Sequence, residues 1–236
     1  MLTLLEDNIE DEQNKKLIRY SKIIKQNSNR LLKLINNLLD VTKIDSNSFE
    51  LEIGNYDIVN LIRKITYSIK DYIEEKERNF EFHSDLKSKV IACDPFNIER
   101  VILNLWSNAI KFTDKSDEIK VTVFKNQGNI CISVKDTGLG IQEDKQDLIF
   151  ERFGQADKSL TRNHEGSGIG LTLSNLIIEL HGGSLTVNSK KGLGSEFIIE
   201  LEDKMIKEEN KTKSNFRPDS KDLIDRIEVE FSDIYD

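Results

Sequence analysis

The chain has 236 residues and a formal net charge of −8 at pH 7, with 37% hydrophobic and 32% charged residues. This length allows one large domain, or one domain with accessory segments, and the acidic balance disfavours nonspecific binding to nucleic acid or anionic membranes. No apolar run approaches the roughly 18 residues of a membrane span, and the acidic N-terminus is unlike a secretion signal. The only two cysteines, Cys93 and Cys131, form no metal-binding pattern, so a cytoplasmic location is expected.

A long helix is predicted from about residue 8 to residue 44, because this stretch lacks Gly and Pro and repeats apolar residues at spacings of three and four. Such a helix would extend about 50 Å, more than one small domain can cover. The apolar stripe with Leu31, Leu34 and Leu38 is therefore expected to pair with another helix, most simply in a homodimer through residues 10–45. The alternative is a helix that folds back on its own domain.

Helices and strands alternate beyond the turn-forming residues 45–48. Strands are predicted near 49–53 and near Val90, and at 119–125, 130–135, 184–189 and 196–201, with helices over 58–77, 95–112 and 171–180. This mixture predicts an α/β fold, a two-layer sandwich with helices over one face of a mixed sheet. Residues 202–236 carry eleven acidic and seven basic residues and predict a charged linker with a short alternating segment at residues 227–231.

The helix that begins at Pro95 is the most informative segment. At 100° per residue, six polar side chains fall in a wedge of about 100°, and nearly all the others are apolar; the six are Asn97, Arg100, Asn104, Ser107, Asn108 and Lys111. An unpartnered buried polar group costs about 1 to 3 kcal/mol, so the wedge must face a ligand, water or a polar network. Amide oxygens suit Mg²⁺ and a lysine suits phosphate. The alternative is an ordinary solvated helix face.

Two glycine-containing segments follow. In Asp136-Thr137-Gly138-Leu139-Gly140, the carboxylate can accept a hydrogen bond from an exocyclic amine such as that of adenine, and the glycines let the backbone approach a flat ligand. Gly166-Ser167-Gly168-Ile169-Gly170 precedes an apolar helix, so several N–H groups and a helix N-terminus predict an anion site. Between them, Arg152, Lys158 and Arg162 are either a lid over a phosphate tail or solvated loop charges. Singly, each glycine segment also fits an ordinary turn or hinge.

Taken in order, these segments resemble the ATP-binding domain of histidine kinases, which has the Bergerat fold of the GHKL superfamily. The matching segments are an N box at 104–113, a first glycine box at 136–141, an F box at 149–153, a second glycine box at 166–171, and closing segments at 181–183 and 192–197. The resemblance covers about residues 50–201. It implies a remnant of the dimerisation and phosphoacceptor domain at 1–45, an ATP-binding catalytic domain at 46–201 and a charged tail at 202–236.

The resemblance also implies ATP and Mg²⁺ as cofactors and phosphoryl transfer to histidine as the reaction. It gives catalytic roles to Asn104, Lys111 and Arg162, metal coordination to Asn108, and nucleotide contacts to Asn108, Lys111, Asp136, Gly138, Gly140, Ile141, Phe153, Gly166, Gly168, Ile169, Gly170 and Leu171. Asn104 stands where ATPase branches of the superfamily carry a glutamate that activates water, and an amide cannot act as a general base. The kinase branch is therefore favoured over a hydrolase.

The acceptor histidine is where this sequence departs from the family. Residues 17–53 resemble the second helix of the phosphoacceptor domain, but no histidine precedes His83. His83, His164 and His181 all suit structural or ligand-adjacent roles. We therefore expect the chain to begin inside the phosphoacceptor domain and to need an acceptor domain and a response regulator as partners. The alternatives are an ATP-binding dimerisation partner that regulates another kinase and, less favoured, a GHKL ATPase.

Overall fold

The computed structural model describes residues 12–154, 168–207 and 220–234. The helices are α1 (Glu12–Asp45), α2 (Ile58–Ser68), α3 (Lys70–Glu75), α4 (Pro95–Lys111), α5 (Gly170–Leu180) and α6 (Ser220–Glu230). The strands are β1 (Gly54–Asp57), β2 (Asn79–Ser84), β3 (Val90–Cys93), β4 (Glu118–Asn126), β5 (Asn129–Asp136), β6 (Ser184–Ser189) and β7 (Ser195–Glu202). Short 3₁₀ turns lie at Glu143–Lys145, Leu148–Phe150 and Phe231–Asp233. Within the described ranges, no helix is both long and apolar enough to cross a membrane.

The main sheet has five strands in the order β2-β4-β5-β7-β6. Strand β2 pairs parallel to β4, and the other neighbours are antiparallel, so the sheet is mixed. Strands β1 and β3 form a separate antiparallel pair. Burial alternates along β4 and β7, as expected when helices cover one face of a sheet and the other face meets solvent. The predicted two-layer α/β fold is confirmed.

Helix α4 lies at the centre of the core, and its start is defined by a strong local signal. Asp94 Oδ1 accepts hydrogen bonds from the N–H groups of Phe96 at 3.0 Å and Asn97 at 3.1 Å, and Pro95 occupies the first turn, where its missing N–H costs nothing. The Trp106 side chain is fully buried. These features fix which residues of α4 point away from the core.

His181 supports the same helix start from the end of α5. Its Nε2 accepts a hydrogen bond from the Asp94 N–H at 3.0 Å, so its Nδ1 carries the proton that is donated to the Ile177 carbonyl at 2.7 Å. Burial is the main cause that lowers the pKa of His181, which keeps the ring neutral. The sequence allowed a structural or a ligand-adjacent role for His181, and these hydrogen bonds give it a structural one. His83 is an exposed strand residue beside Asp85.

Helix α1 contacts the rest of the molecule through a polar face. Arg100 of α4 donates to Asp40 Oδ2 at 2.6 Å and to Asn37 Oδ1 at 2.7 Å, and Arg152 pairs with Asp45. On other sides of α1, large apolar side chains are exposed, among them Leu17, Tyr20, Ile24, Leu31, Ile35 and Leu38. The helix is therefore held to its own domain by these charged pairs and by Val41, which is 3% exposed and belongs to the core, while an apolar face remains exposed.

Several local predictions were wrong. Residues 49–53 form no strand, because this segment runs toward the start of α4, where the Glu52 N–H donates to Asp94 Oδ2 at 2.9 Å. The helix predicted over 58–77 breaks at Ile69 into α2 and α3, and strand β2 was not predicted. The alternating segment at 227–231 is helical through Glu230, because the positions that meet α1 and α4 repeat at helical spacing. The domain boundaries near residues 45 and 201 stay predictions.

Candidate nucleotide-binding site

One wall of the candidate site is the face of α4 that carries Asn104, Asn108 and Lys111. Asn104 is buried, and its Nδ2 donates to Ser174 Oγ of α5 at 2.9 Å. Lys111 is also buried, whereas Asn108 is partly exposed. Because positions three and four apart share one helix face, these side chains lie in a row along α4. The row ends close to the loop that follows β5.

Only half of the predicted polar wedge belongs to this wall. Asn97 Nδ2 donates to Asp94 Oδ2 at 2.8 Å, Arg100 binds the polar face of α1, and Ser107 Oγ donates to the Glu230 carbonyl at 3.2 Å. The sequence predicted that the wedge meets a ligand, water or a polar network, and the structure divides it between a polar network and an open site. A helical wheel could not distinguish the side chains of the polar network from those of the open site, because the partners of Arg100 and Ser107 are far away in the sequence.

The second wall begins at Asp136, the last residue of β5. Its side chain is buried, and Oδ1 accepts hydrogen bonds from the N–H groups of Gly138 at 2.9 Å and Ser195 at 3.3 Å. Burial raises the pKa of Asp136 to about 6, although the two N–H donors act in the opposite direction. Both bonds use Oδ1, so Oδ2 is the oxygen that can accept a bond from a ligand. Such a perturbed, buried carboxyl is typical of functional sites.

Glycines follow Asp136 at positions where other parts of the protein backbone pass close by. A Cβ at Gly138 would lie 2.0 Å from the Phe112 carbonyl oxygen, and the Leu139 N–H donates to that same oxygen at 3.0 Å. At Gly140, where φ is +63°, a Cβ would lie 2.1 Å from the Lys190 carbonyl oxygen. The packing alone requires glycine at both positions, and the prediction that these glycines let the backbone approach a flat ligand stays a prediction. They let the loop close against the end of α4, and Ile141 N–H donates to Ser189 Oγ at 2.8 Å.

The third wall is the start of α5 with the segment before it. A Cβ at Gly170 would lie 2.5 Å from Asn104 Oδ1, so the first residue of α5 touches the amide of α4. Gly168 has a φ of +67°, and its carbonyl accepts from the Phe153 N–H at 3.0 Å. Ile169 is buried, and Leu171 packs against the core. The structure thus brings the N-box helix, the F box and the described part of the second glycine box together.

Some predicted site residues lie outside the described residues, namely Arg162, Gly166, Lys158 and His164. Arg152, considered as a lid residue, pairs with Asp45 of α1 instead. Sequence reasoning missed Ser174, which fixes the orientation of Asn104. Its signal was present, because a small polar residue one turn after Gly170, between the apolar residues Leu173 and Ile177 of this helix, predicts a contact with another polar group.

The site and its fold define a class of protein. The family described as histidine kinase-, DNA gyrase B- and HSP90-like ATPases matches residues 93–205, a range that includes α4, the Asp136 loop and α5. Among curated proteins, the hybrid signal transduction histidine kinase D of Dictyostelium discoideum is 34% identical over 206 residues, which is 84% of this chain and 13% of that protein. The chain spans only 13 to 30% of the length of the curated relatives compared with it.

Solved structures place the chain within that class. Full-length ShkA in complex with AMPPNP is 26% identical with a TM-score of 0.70, over 87% of this chain and 42% of that one. The histidine kinase ThkA in complex with the response regulator TrrA is 26% identical with a TM-score of 0.62, over 86% of this chain and 55% of that one. The chain therefore carries, over residues 93–205, an ATP-binding domain of this family, and it corresponds to the catalytic ATP-binding domain of sensor histidine kinases.

Proposed function

We propose that this chain binds ATP with Mg²⁺ and transfers the γ-phosphoryl group to a histidine of an acceptor domain. The observation that carries the proposal is the close approach of Gly170 to Asn104 Oδ1. It joins a helix N-terminus, which favours anions, to the face of α4 that holds two amides and a lysine. A phosphate chain between α4 and α5 would meet both sets of donors.

At the base end, Asp136 Oδ2 would accept a hydrogen bond from the adenine amino group. Oδ1 is already held by two backbone N–H donors, so the carboxylate is oriented before the ligand arrives. Gly138, Gly140 and Ile141 shape the loop beside it, and Phe153, which is 65% exposed, is an apolar contact at the site's edge. Such preorganisation reduces the entropic cost of binding.

At the phosphate end, Lys111 would supply a point charge to the phosphates, and the backbone at Gly168, Ile169 and Gly170 would donate N–H groups to their oxygens. Leu171 packs below this turn. Arg162 and Gly166 are proposed contacts on the basis of the resemblance alone. Phosphoryl transfer needs positioning and charge stabilisation rather than a protein nucleophile, which is what this donor set provides.

The donor set fits a magnesium ion that arrives with the nucleotide. Within the described ranges, no group of three or more His, Cys, Asp or Glu side chains could hold a metal, so a site made of these protein ligands alone does not fit. Mg²⁺ is commonly bound through one or two protein oxygens together with substrate phosphates and water, and Asn108 offers one such oxygen. The ion would neutralise charge on the phosphate oxygens.

The chain is better suited to transfer than to hydrolysis. Asn104, at the reacting end, is an amide that is buried and bonded to Ser174, so it cannot deprotonate water. The one carboxylate in α4 is Glu99, which is bound to Arg226 on a different face of the helix. Of the histidines described, His181 is held inside the fold by two hydrogen bonds. The acceptor is therefore proposed to come from a partner domain.

Partners and location follow as further proposals. The exposed apolar face of α1 suits a homodimer through residues 10–45, because contiguous exposed apolar surface marks interaction sites. A response regulator would receive the phosphoryl group, as the complex of ThkA with TrrA suggests. Cys93 and Cys131 are free and buried, which suits the reducing cytoplasm.

The function is tested by mixing the chain with γ-labelled ATP, Mg²⁺ and a separately purified acceptor-domain dimer. Label is expected on the acceptor histidine, and a His→Ala acceptor is the matched control. ATP binding without transfer to any acceptor would favour a regulatory binding module instead. Steady release of labelled phosphate without acceptor would favour an ATPase, and the absence of nucleotide binding would overturn the proposal.

Nucleotide affinity is expected to fall in acid because Asp136 must be ionised to accept the adenine amino group. Since its pKa is raised to about 6, the carboxylate predominates at neutral pH and is lost as the pH falls through that value. Affinity should be about tenfold lower one pH unit below the pKa, as measured by titration with an ATP analogue. Asp136→Asn is the control, because it removes the titrating carboxyl while the phosphate groups of the nucleotide still titrate. An equal pH dependence in both proteins would contradict the role of Asp136.

A further inference from the structure

Residues 220–234 fill a groove beside α1. The Nζ of Lys33 donates to the Glu230 carbonyl at 2.7 Å and lies 3.0 Å from the Glu230 carboxylate and 3.4 Å from the Asp233 carboxylate. Gln26 Nε2 donates to the carbonyls of Ser232 and Ile234 at 3.2 and 3.0 Å. The C-terminal segment is thus bound to the polar face of the long helix by side-chain and backbone contacts.

The same segment is bound on its other side to α4, the helix that carries the candidate site. Arg226 Nε donates to Glu99 Oε1 at 2.6 Å, and the Ser107 hydroxyl donates to the Glu230 carbonyl. Ser107 lies one turn from both Asn104 and Lys111 on α4. The segment therefore connects α1 to the helix that forms the phosphate end of the site.

The groove buries two charges of opposite sign, and the segment supplies the partner of each. Lys33 is 6% exposed and Glu99 is 1% exposed; the first meets Glu230 and Asp233, and the second meets Arg226. A buried charge that loses its partner is strongly unfavourable. Here, however, departure of the segment would remove the cover as well as the partner, so both charges could return to water. Undocking would therefore leave neither charge buried without a partner.

Docking also sets where an acceptor can lie. Leu17, Leu31 and Leu38 of α1 are 52%, 58% and 49% exposed, and at 100° per residue they fall roughly opposite Lys33. An acceptor helix packed on this apolar face would be separated from α4 by α1 itself, which is about 10 Å across. The segment and the Arg100 bonds to Asp40 and Asn37 together hold α4 against the polar face. In this arrangement an acceptor on the apolar face would lie on the opposite side of α1 from the candidate phosphate site.

We propose that residues 220–234 are an autoinhibitory clasp, which restrains the ATP-binding domain on the polar face of α1 and must undock before phosphoryl transfer. This inference rests on the proposed function. The clasp controls the access of the site to the acceptor. It leaves nucleotide binding unchanged, because its partners on α4 are Glu99 and Ser107 rather than Asn104, Asn108 or Lys111.

The test removes the charges that pair with Lys33 in the full chain. Glu230→Gln with Asp233→Asn is expected to undock the segment and raise the rate of label transfer from ATP to the acceptor-domain dimer about tenfold or more, since an unpaired buried charge strongly disfavours the docked state. Hydrogen exchange at residues 220–234 should rise in parallel. The matched control is Asp225→Asn, which removes an exposed acid from α6 and should change neither the exchange rate nor the transfer rate by more than about twofold.

A second variant removes a contact between the clasp and α4. Arg226→Met leaves Glu99 without its partner and should also raise both the exchange rate and the transfer rate. ATP affinity should stay within about twofold of the wild type, which shows that the domain is folded.

Faster exchange without faster transfer in both variants would overturn the inhibition, and unchanged exchange would overturn the clasp. If the wild type binds no nucleotide, the proposed function itself fails. If it binds nucleotide and the variants still transfer no faster, only the clasp fails.

Discussion

Replacing Asn108 with Ala is expected to lower the rate of phosphoryl transfer by about a hundredfold or more, because loss of one preorganised electrostatic group at a reacting centre has effects of that size. Asn108 is the partly exposed amide on the site face of α4. Its oxygen suits the metal that accompanies the nucleotide. The measurement is nucleotide affinity with Mg²⁺ and with a chelator, followed by transfer to the acceptor domain; in the variant, the gain in affinity from Mg²⁺ should disappear.

Asn97→Ala is the informative control, because both asparagines lie in the wedge that the sequence defines. The Asn97 amide is committed to Asp94, while the backbone N–H groups that cap α4 remain in place without it. Its loss should reduce stability by about 1 kcal/mol and leave the effect of Mg²⁺ unchanged. If Asn108→Ala kept the full metal-dependent gain in affinity, the assignment of Asn108 would be wrong.

The parts of the fold that the sequence predicted well depend on local signals. Asp94 followed by Pro95 is a cap and a first turn within two residues, and the start of α4 falls where these residues predict it. The turn between β4 and β5 has Gly128 at a φ of +94°, a conformation that glycine adopts readily. Alternation of apolar residues in β4 and β7 matches the observed burial. None of these signals requires knowledge of a distant neighbour.

The parts that the sequence could not predict depend on partners far along the chain. Arg100 and Ser107 look like site residues on a helical wheel, yet their partners are Asp40 and the Glu230 carbonyl. A wheel gives the direction of a side chain but not the segment that lies there. The segment at 227–231 shows the same limit, since five alternating residues fit a strand or a helix until the groove that binds them is known. Asp136 is intermediate: the sequence predicted its role, whereas its raised pKa depends on burial by the folded loop.

Gly138→Ala is expected to destabilise the protein by about 2 kcal/mol or more, since overpacking against backbone has costs of this order. A Cβ at this position would lie 2.0 Å from the carbonyl oxygen of Phe112 and 2.8 Å from its carbonyl carbon. Phe112 caps the end of α4, and its backbone cannot move without disturbing that helix end, so the loop must shift. The shift would break the hydrogen bond from the Gly138 N–H to Asp136 Oδ1. Nucleotide affinity should therefore fall together with the melting temperature, by several degrees for a chain of this size.

The matched control is Gly128→Ala. An alanine can be unfavourable because its Cβ is crowded or because the backbone φ is positive, and Gly128 has the second problem without the first. Gly128 has a positive φ but no atom within 4 Å of its Cβ position, so strain of about 1 to 2 kcal/mol is expected there with no change in nucleotide affinity. Gly138 is crowded but lies outside the left-handed region. If Gly138→Ala melted like the wild type and bound nucleotide equally well, the contact between the Asp136 loop and the end of α4 would not be what shapes the site. A loss of affinity confined to Gly138→Ala would instead show that this backbone contact positions the carboxylate.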